Sequence, residues 1–223
     1  MRQISSETIL DVEALTRAFI QRKITKPIFR VPISLTQAQD LITAGYKAEV
    51  TYRHRSFVLD EETRQHIMVA AKWLIGESRS GLLLCGNYGN GKTTLLRALR
   101  SVIALMTSDE SPSEQRHLRL VTALDLARMS SDENLSSWQN LRNTPLLAID
   151  DVGADASEVM KYGNTQKPVV EIICHRYEAQ LPTLLSTNLA PPELRNHYGD
   201  RVADRMKEVM EKIIFTQPSY RAQ

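Results

Sequence analysis

The segment at positions 86–93, Gly-Asn-Tyr-Gly-Asn-Gly-Lys-Thr, constrains the fold more than any other part of this chain. It matches the phosphate-loop pattern of a glycine, four residues and then Gly-Lys-Thr. An apolar run, Gly81–Cys85, precedes it, and positions 94–106 carry apolar side chains at helical spacing. Glycines let a backbone turn its N–H groups around an anion, and a helix N-terminus adds partial positive charge. The sequence therefore predicts the strand, anion-binding loop and helix that open an α/β P-loop fold.

The loop supplies most of the candidate nucleotide contacts. We expect Lys92 to lie against the β- and γ-phosphates and the Thr93 hydroxyl to bind Mg²⁺. The other candidate contacts are Gly86, Asn87, Tyr88, Gly89, Asn90, Gly91 and Thr94. The alternative is a glycine-rich turn with an accidental Lys-Thr, and the flanking strand and helix argue against it.

Two later apolar runs end in polar side chains. Leu146–Ile149 leads to two acids, which predicts that Asp150 holds Mg²⁺ and that Asp151 polarises the attacking water. Pro182–Ser186 leads to Asn188, whose amide is suited to orient that water and the γ-phosphate. A solvated turn at the two acids and a helix cap at Asn188 remain the alternatives.

Two arginines lie four residues apart in a segment with helical character, so they project from one helix face. Either Arg201 or Arg205 is suited to stabilise the charge that develops on a neighbouring subunit's γ-phosphate. The alternative is surface ion pairing with Asp200, Asp204 and Glu208.

Composition excludes several classes of protein. With 28 Lys and Arg against 26 Asp and Glu, the net charge of +2 leaves nucleic-acid binding open. The chain lacks an apolar run long enough for a membrane span, and its two cysteines, Cys85 and Cys174, have no ligand spacing. We therefore expect a cytoplasmic protein without a disulfide framework or structural zinc.

The N-terminal quarter differs from the rest of the chain. Ser5–Ile20 predicts an amphipathic helix with a stripe formed by Ile9, Val12, Leu15 and Phe19. Gln21–Pro32 is predicted to be an extended basic linker, and Thr36–Tyr46 a short helix. We place a boundary here, with residues 1–59 as a partner-binding extension and residues 60–223 as the nucleotide-binding domain.

The second part alternates helices with short apolar runs. Asp60 is expected to cap a helix that ends at Gly76. Short continuous apolar runs separated by helices predict a parallel sheet covered on both faces. The five predicted strands are Leu82–Cys85, Leu118–Val121, Leu146–Ile149, Pro182–Ser186 and Ile213–Phe215.

Taken together, five ordered motifs resemble the DnaC/IstB-like branch of the AAA+ ATPases, a group of bacterial helicase loaders and transposition helpers. The motifs are GNYGNGKTT, LLAIDDVG, RYEAQLPTLLSTN, YGDRVADRM and PSYR, within residues 60–221. The resemblance implies a three-layer AAA+ core with a five-stranded parallel sheet, a short N-terminal helical extension and no C-terminal lid. It also implies roles for residues already singled out: Walker A (Lys92, Thr93), Walker B (Asp150, Asp151), sensor 1 (Asn188) and a trans-acting arginine (Arg201 or Arg205).

The resemblance implies a helicase loader of DNA replication that hydrolyses ATP with Mg²⁺, acts as a homo-oligomer and binds DNA, with single-stranded DNA favoured, and a replicative helicase. Two short basic clusters, residues 53–55 and 116–119, are candidate DNA contacts, with solvated faces as the alternative. Other functions stay open: a transposition helper that engages a transposase, a small-molecule kinase, or a nucleotide-dependent module without catalysis. Asp151 keeps the last of these open, because many AAA+ enzymes have Glu there and the shorter acid is expected to slow hydrolysis.

Overall fold

The structure, a computed structural model, describes residues 11–22, 29–108, 117–131, 135–154, 159–161, 164–217 and 219–220. Parts of the predicted N-terminal stripe, linker, second basic cluster and terminal motif lie outside these residues, among them Ile9, Lys26, Arg116 and Arg221. Within the described residues the helices are α1 (Val12–Arg22), α2 (Leu35–Tyr52), α3 (Glu61–Leu74), α4 (Lys92–Met106), α5 (Ala123–Ser131), α6 (Leu135–Arg142), α7 (Pro168–Glu178), α8 (Pro191–Tyr198) and α9 (Asp200–Val209). The strands are β1 (Gly81–Gly86), β2 (Leu118–Thr122), β3 (Leu146–Val152), β4 (Val159–Lys161), β5 (Asn164–Gln166), β6 (Thr183–Thr187) and β7 (Met210–Phe215).

The five longer strands form one parallel sheet in the order β2, β3, β6, β1, β7. The predicted five-stranded parallel sheet in AAA+ order is therefore confirmed, and each predicted strand is present. Because the strands run in the same direction, their carboxyl ends share one edge of the sheet. That edge carries Gly86, Asp150, Asp151 and, just beyond β6, Asn188. The antiparallel β4–β5 pair was not predicted, because three residues per strand are too few to establish a period.

Two apolar cores lie on opposite faces of the sheet. Along β1, Leu82 and Leu84 join the core with α2, α3 and α4, whereas Leu83 and Cys85 join the core on the other face. This alternation follows from the two-residue period of a strand, and it produces the predicted three layers. Burial raises the pKa of the Cys85 thiol to about 11, as expected for a small side chain packed in this core.

Helix α3 begins and ends where its sequence predicts. The Asp60 carboxylate accepts a hydrogen bond from the Thr63 amide at 2.8 Å, which caps the first turn. Beyond the last turn, Gly76 adopts φ +79°, the left-handed conformation that favours glycine at this position.

Residues 29–52 differ from the prediction of a linker and a short helix. Phe29 and Val31 are buried, and Phe29 packs on Trp73 with ring centroids 5.3 Å apart. Helix α2 starts at a Ser34 capping box and extends past the predicted end at Tyr46, since its apolar face continues to pack. The described end of the linker and α2 thus pack in the same core as α3 and α4, although the domain boundary at residue 59 stays a prediction.

No helix within the described ranges combines the length and apolarity that a membrane crossing requires.

Candidate nucleotide-binding site

The loop between β1 and α4 has the backbone that its glycines allow. Gly86, Gly89 and Gly91 adopt φ values of +150°, +78° and +104°. A Cβ at Gly86 would lie 2.3 Å from the Phe215 carbonyl oxygen, and one at Gly91 would lie 2.0 Å from the Tyr46 hydroxyl. Both the conformation and the space therefore require glycine at these two positions.

Helix α4 begins at Lys92 directly after this loop, and its N-cap Gly91 offers no side-chain acceptor. The first amides of a helix have no partner inside the helix, and the helix dipole adds partial positive charge at that end. The loop and the first turn of α4 thus combine the two features that bind phosphate in proteins.

Lys92 is only 5% exposed, and its ammonium group lies inside the loop. Its Nζ donates to the carbonyl oxygens of Gly86 and Asn87, both at 2.7 Å. It also donates to Oδ1 of Asn90 at 3.2 Å and to Oδ1 of Asn188 at 2.8 Å. These four acceptors are neutral, so they stabilise the ammonium group without cancelling its charge. The arrangement places a positive charge at the centre of the anion-binding loop.

Thr93 and Asp150 meet across the ends of α4 and β3. The Thr93 hydroxyl donates to Oδ1 of Asp150 at 3.1 Å, and the Asp150 side chain is buried. A hydroxyl and a carboxylate are oxygen ligands of the kind that Mg²⁺ prefers. The pair fits a magnesium ion bound beside the phosphates, where the ion would neutralise charge on the transferred phosphoryl group.

Asp151 and Asn188 form the next part of the site. Asn188 bridges two of the predicted residues, because its Oδ1 accepts from Lys92 while its Nδ2 donates to Oδ1 of Asp151 at 3.4 Å. Asp151 has φ +56°, and the pairing of β3 with β6 shifts register between Ile149 and Val152. A side chain in this conformation leaves the regular alternation of the strand and turns toward the loop.

The loop positions with less defined roles differ in exposure. Tyr88 is 70% exposed at the loop surface, so its ring makes little contact with the rest of the site. Thr94 is buried, and its hydroxyl accepts a hydrogen bond from Arg53 at 3.1 Å. The backbone carbonyl of Asn87 is already bonded to Lys92.

The two candidate arginines of α9 differ in their environment. Arg205 donates to Glu178, and its guanidinium lies 4.7 Å above the ring of Tyr177. Arg201 is exposed at the start of the same helix. Of the acids weighed as their partners, Asp200 and Asp204 pair with Arg195. The structure thus holds Arg205 against its own subunit and leaves Arg201 directed to solvent.

A cavity of about 1050 Å³ lies beside the loop, and sequence reasoning did not identify its outer wall. Arg53 and Arg55, which we predicted as DNA contacts, line this cavity, and their contact with DNA stays a prediction. Arg55 donates to the Tyr220 carbonyl oxygen at 2.6 Å, and the Tyr220 amide donates to the Gly89 carbonyl oxygen at 3.0 Å. The chain after β7 therefore lies against the phosphate loop. These contacts join segments more than a hundred positions apart, and no local pattern reveals such a contact.

Comparisons with known proteins identify one relative by sequence and several by structure. No family model matches the chain. A curated relative, the replicative helicase loader DnaI of Bacillus subtilis (strain 168), is 27% identical over 146 residues, which cover 60% of this chain and 43% of DnaI. The chain thus matches less than half the length of this relative.

Solved structures match over more of the chain. The DnaC helicase loader has a TM-score of 0.56 at 19% identity, covering 72% of this chain and 93% of that chain. The replication initiator DnaA, in a structure bound to AMPPCP and single-stranded DNA, has a TM-score of 0.52 at 20% identity, covering 73% of this chain and 49% of that chain. At such identities these matches show a shared fold.

Strand order and structural neighbours together define the class of fold, a P-loop fold with the AAA+ core. Within that class the chain is similar to the DnaC-like helicase loaders, so the resemblance read from the five motifs is confirmed.

Proposed function

We propose that this chain is an ATPase that uses Mg²⁺ and loads a replicative helicase during DNA replication. The observation that carries the proposal is the convergence of five predicted residues from three separate segments. Lys92 is bonded to Asn188, Asn188 to Asp151, and Thr93 to Asp150. A glycine-rich turn formed by chance would not bring the two acids and the amide to the same loop.

The chemistry follows from these positions. Loop amides and Lys92 bind the triphosphate, while Thr93 and Asp150 hold the magnesium ion. Asp151 accepts the proton of the attacking water, and Asn188 orients that water, since it already contacts both Asp151 and Lys92. The side chain of Asp is one methylene shorter than that of Glu, so its carboxylate reaches less far toward the attacking water. We therefore expect slow turnover by the isolated subunit.

Arg201 is our choice for the arginine that completes the site of a neighbouring subunit. Its exposure at the start of α9 leaves it accessible, whereas Arg205 is held by Glu178 and Tyr177. An arginine supplied in this way contributes roughly 10³ to 10⁵ in rate in GTPases. Hydrolysis should therefore depend on assembly of a homo-oligomer.

Two surfaces support the proposed partners. Helix α1 exposes Val12, Leu15 and Phe19, and such a stripe fits an apolar groove on a replicative helicase. On β2, the outermost strand on one side of the sheet, Arg119 is exposed, as is His117 just before the strand. These two side chains are suited to contact DNA phosphates. The match to DnaI favours the helicase-loader role over the transposition, kinase and non-catalytic alternatives.

The direct test measures ATP hydrolysis by the full chain alone, with single-stranded DNA, with duplex DNA and with the replicative helicase of the same host. We expect Mg²⁺-dependent turnover that DNA or helicase stimulates and that Lys92→Ala abolishes. Arg128→Ala, which removes an exposed arginine on α5, serves as the control and should leave turnover unchanged. Turnover that persists in Lys92→Ala would contradict the proposal, as would a wild type that binds no ATP.

A mixing experiment tests the shared site. Arg201→Ala should retain ATP binding but lose the turnover that increases with protein concentration. Mixing it with Lys92→Ala should restore hydrolysis, because each Lys92→Ala subunit still offers Arg201 to an Arg201→Ala neighbour that binds ATP. Absence of restored activity in the mixture, with wild-type turnover independent of concentration, would rule out Arg201 as a trans-acting residue.

A further inference from the structure

Ser186 is a polar residue in a position where an apolar one would be expected. It lies on β6, between β3 and β1, opposite Leu84 of β1, and it is completely buried. Its hydroxyl donates to Oδ1 of Asp150 and accepts a hydrogen bond from the Asp151 amide at 3.0 Å. A single buried hydroxyl thus contacts both acids at the end of β3.

The contact with Asp150 restricts the orientation of that carboxylate. Oδ1 of Asp150 accepts from Ser186 on one side and from the Thr93 hydroxyl at 3.1 Å on the other. Two donors on the same oxygen set the rotation of the carboxylate about its last bond. Partners of this kind orient a metal ligand, and their removal typically reduces metal affinity or activity.

The contact with Asp151 restricts the backbone. Asp151 has φ +56°, a conformation that a residue other than glycine adopts at some energetic cost. The β3–β6 register also shifts at this point, and Asp151 has no paired residue in the register of β3 with β2 or with β6. The Ser186 hydroxyl accepts that amide hydrogen and so supports the conformation that turns the Asp151 side chain toward Asn188.

We propose that Ser186 is a positioning residue that aligns the magnesium-binding and water-polarising acids of the site. The inference rests on the ATPase function proposed above. A hydroxyl can donate one hydrogen bond while it accepts another, which both contacts require. Alanine in this place removes the donor to Asp150 and the acceptor for Asp151 together.

The neighbouring residue provides a matched control. Thr187 is equally buried on the same strand, and its hydroxyl donates to the Val152 carbonyl oxygen at 2.6 Å and accepts from the Leu189 amide at 3.0 Å. These contacts involve backbone alone and touch neither acid. Thr187→Val therefore also removes a buried hydroxyl with two hydrogen bonds, but from the structural part of the same turn.

The experiment compares Ser186→Ala, Thr187→Val and wild type as full chains, with DNA or helicase present where these stimulate turnover. In EDTA, the affinity of Ser186→Ala for a fluorescent ATP analogue should stay within about threefold of wild type, because the loop is intact. The Mg²⁺ concentration for half-maximal hydrolysis should rise by roughly 10- to 100-fold, and kcat at saturating Mg²⁺ should fall by at least about tenfold. Thr187→Val should keep the wild-type Mg²⁺ requirement, even if urea unfolding shows that it loses as much stability as Ser186→Ala.

The outcomes separate this inference from the function on which it rests. If wild type hydrolyses ATP and Ser186→Ala has the Mg²⁺ requirement and kcat of Thr187→Val, the positioning role is wrong and the ATPase stands. If wild type shows no Mg²⁺-dependent hydrolysis, the proposed function fails and the role of Ser186 fails with it. If Ser186→Ala does not fold, Ser186→Cys takes its place, because a thiol has nearly the volume of the hydroxyl but is only a weak hydrogen-bond donor. Its Mg²⁺ requirement and kcat are then compared with those of Thr187→Val in the same way.

Discussion

Replacing Arg176 with methionine should destabilise the whole fold. The Arg176 side chain is 1% exposed, and its guanidinium binds neutral oxygen atoms at the start of β6 and before β3. Nε donates to Oγ1 of Thr183 at 2.8 Å and one terminal nitrogen donates to the Pro182 carbonyl oxygen at 2.7 Å. The other donates to the carbonyl oxygens of Arg142 and Thr144 at 3.0 and 2.7 Å. Burial lowers the pKa of the guanidinium to about 10, so it stays charged at neutral pH.

The magnitude follows from the contacts that Arg176→Met removes. A buried acceptor without a partner costs about 1–3 kcal/mol, and four acceptors lose one donor here, although the Pro182 carbonyl oxygen keeps the Leu147 amide at 3.5 Å. The variant also avoids the desolvation of a buried charge, which offsets several kcal/mol of that loss. Methionine fills much of the remaining volume. We expect the free energy of unfolding to fall by about 3 kcal/mol, a large part of the 5–15 kcal/mol typical of a domain.

Urea unfolding followed by circular dichroism at neutral pH measures this loss. Arg142→Met is the control, since its guanidinium is partly exposed and pairs with Glu171 at 3.4 Å, so we expect a loss below about 1 kcal/mol. The reasoning would be refuted if Arg176→Met lost less than about 1 kcal/mol with an unchanged m value, because the four contacts would then contribute nothing net.

Two further variants test other parts of the structure. Gly91→Ala places a Cβ 2.0 Å from the Tyr46 hydroxyl at φ +104°, so nucleotide affinity should fall by roughly 10- to 100-fold. Gly45→Ala is the control, because its Cβ lies 3.3 Å from the nearest neighbouring atom, and it should leave the affinity unchanged. Equal affinities of the two variants in a fluorescence titration would contradict the account of the loop. Burial lowers the pKa of His66, although a hydrogen bond with the Ile214 carbonyl oxygen and the nearby Glu62 oppose the shift. The stability that neutral His66 contributes is therefore complete above the pKa of His66 in the unfolded chain and is lost as the pH falls through its lower pKa in the folded protein. His66→Gln should then lose less free energy of unfolding than wild type between roughly pH 7.5 and 5.5. Equal losses in the variant and in wild type would refute this.

The sequence predicted the sheet and the loop because their signals are local. A strand of apolar residues, three glycines and Lys92 are contiguous, so pattern alone places them in order. The same reasoning missed the contacts of Arg176, because its acceptors are brought near by the return of the chain through β6. It also missed the contact of Arg53 with Thr94, because α2 is longer than the predicted helix and brings the two residues together. Local patterns therefore predicted the elements, and long-range packing decided which side chains meet.

One signal in the sequence did point toward the missed contacts. In an interior strand of a parallel sheet, a polar side chain needs a hydrogen-bond partner, because an unpaired buried polar group costs about 1–3 kcal/mol. Strand β6 reads Thr-Leu-Leu-Ser-Thr, with hydroxyls at both ends and leucines between. The partners prove to be Arg176 for Thr183 and the end of β3 for Ser186 and Thr187.

Substitutions at the two ends of β6 should have different effects on stability and on the Mg²⁺ requirement. Thr183 and Arg176 join β6 to the segment before β3, at the end of the strand away from the phosphate loop. Their loss should therefore lower stability without changing the Mg²⁺ requirement of the molecules that remain folded. Ser186 acts at the other end, on Asp150 and Asp151, so its loss should change the Mg²⁺ requirement beyond any change in stability. Because both ends belong to one strand of five residues, a general weakening of β6 would affect both measurements together. If substitutions at one end change only stability and substitutions at the other also change the Mg²⁺ requirement, the strand aligns the site through the contacts at its carboxyl end. A loss of stability of β6 alone would then not account for the loss of activity.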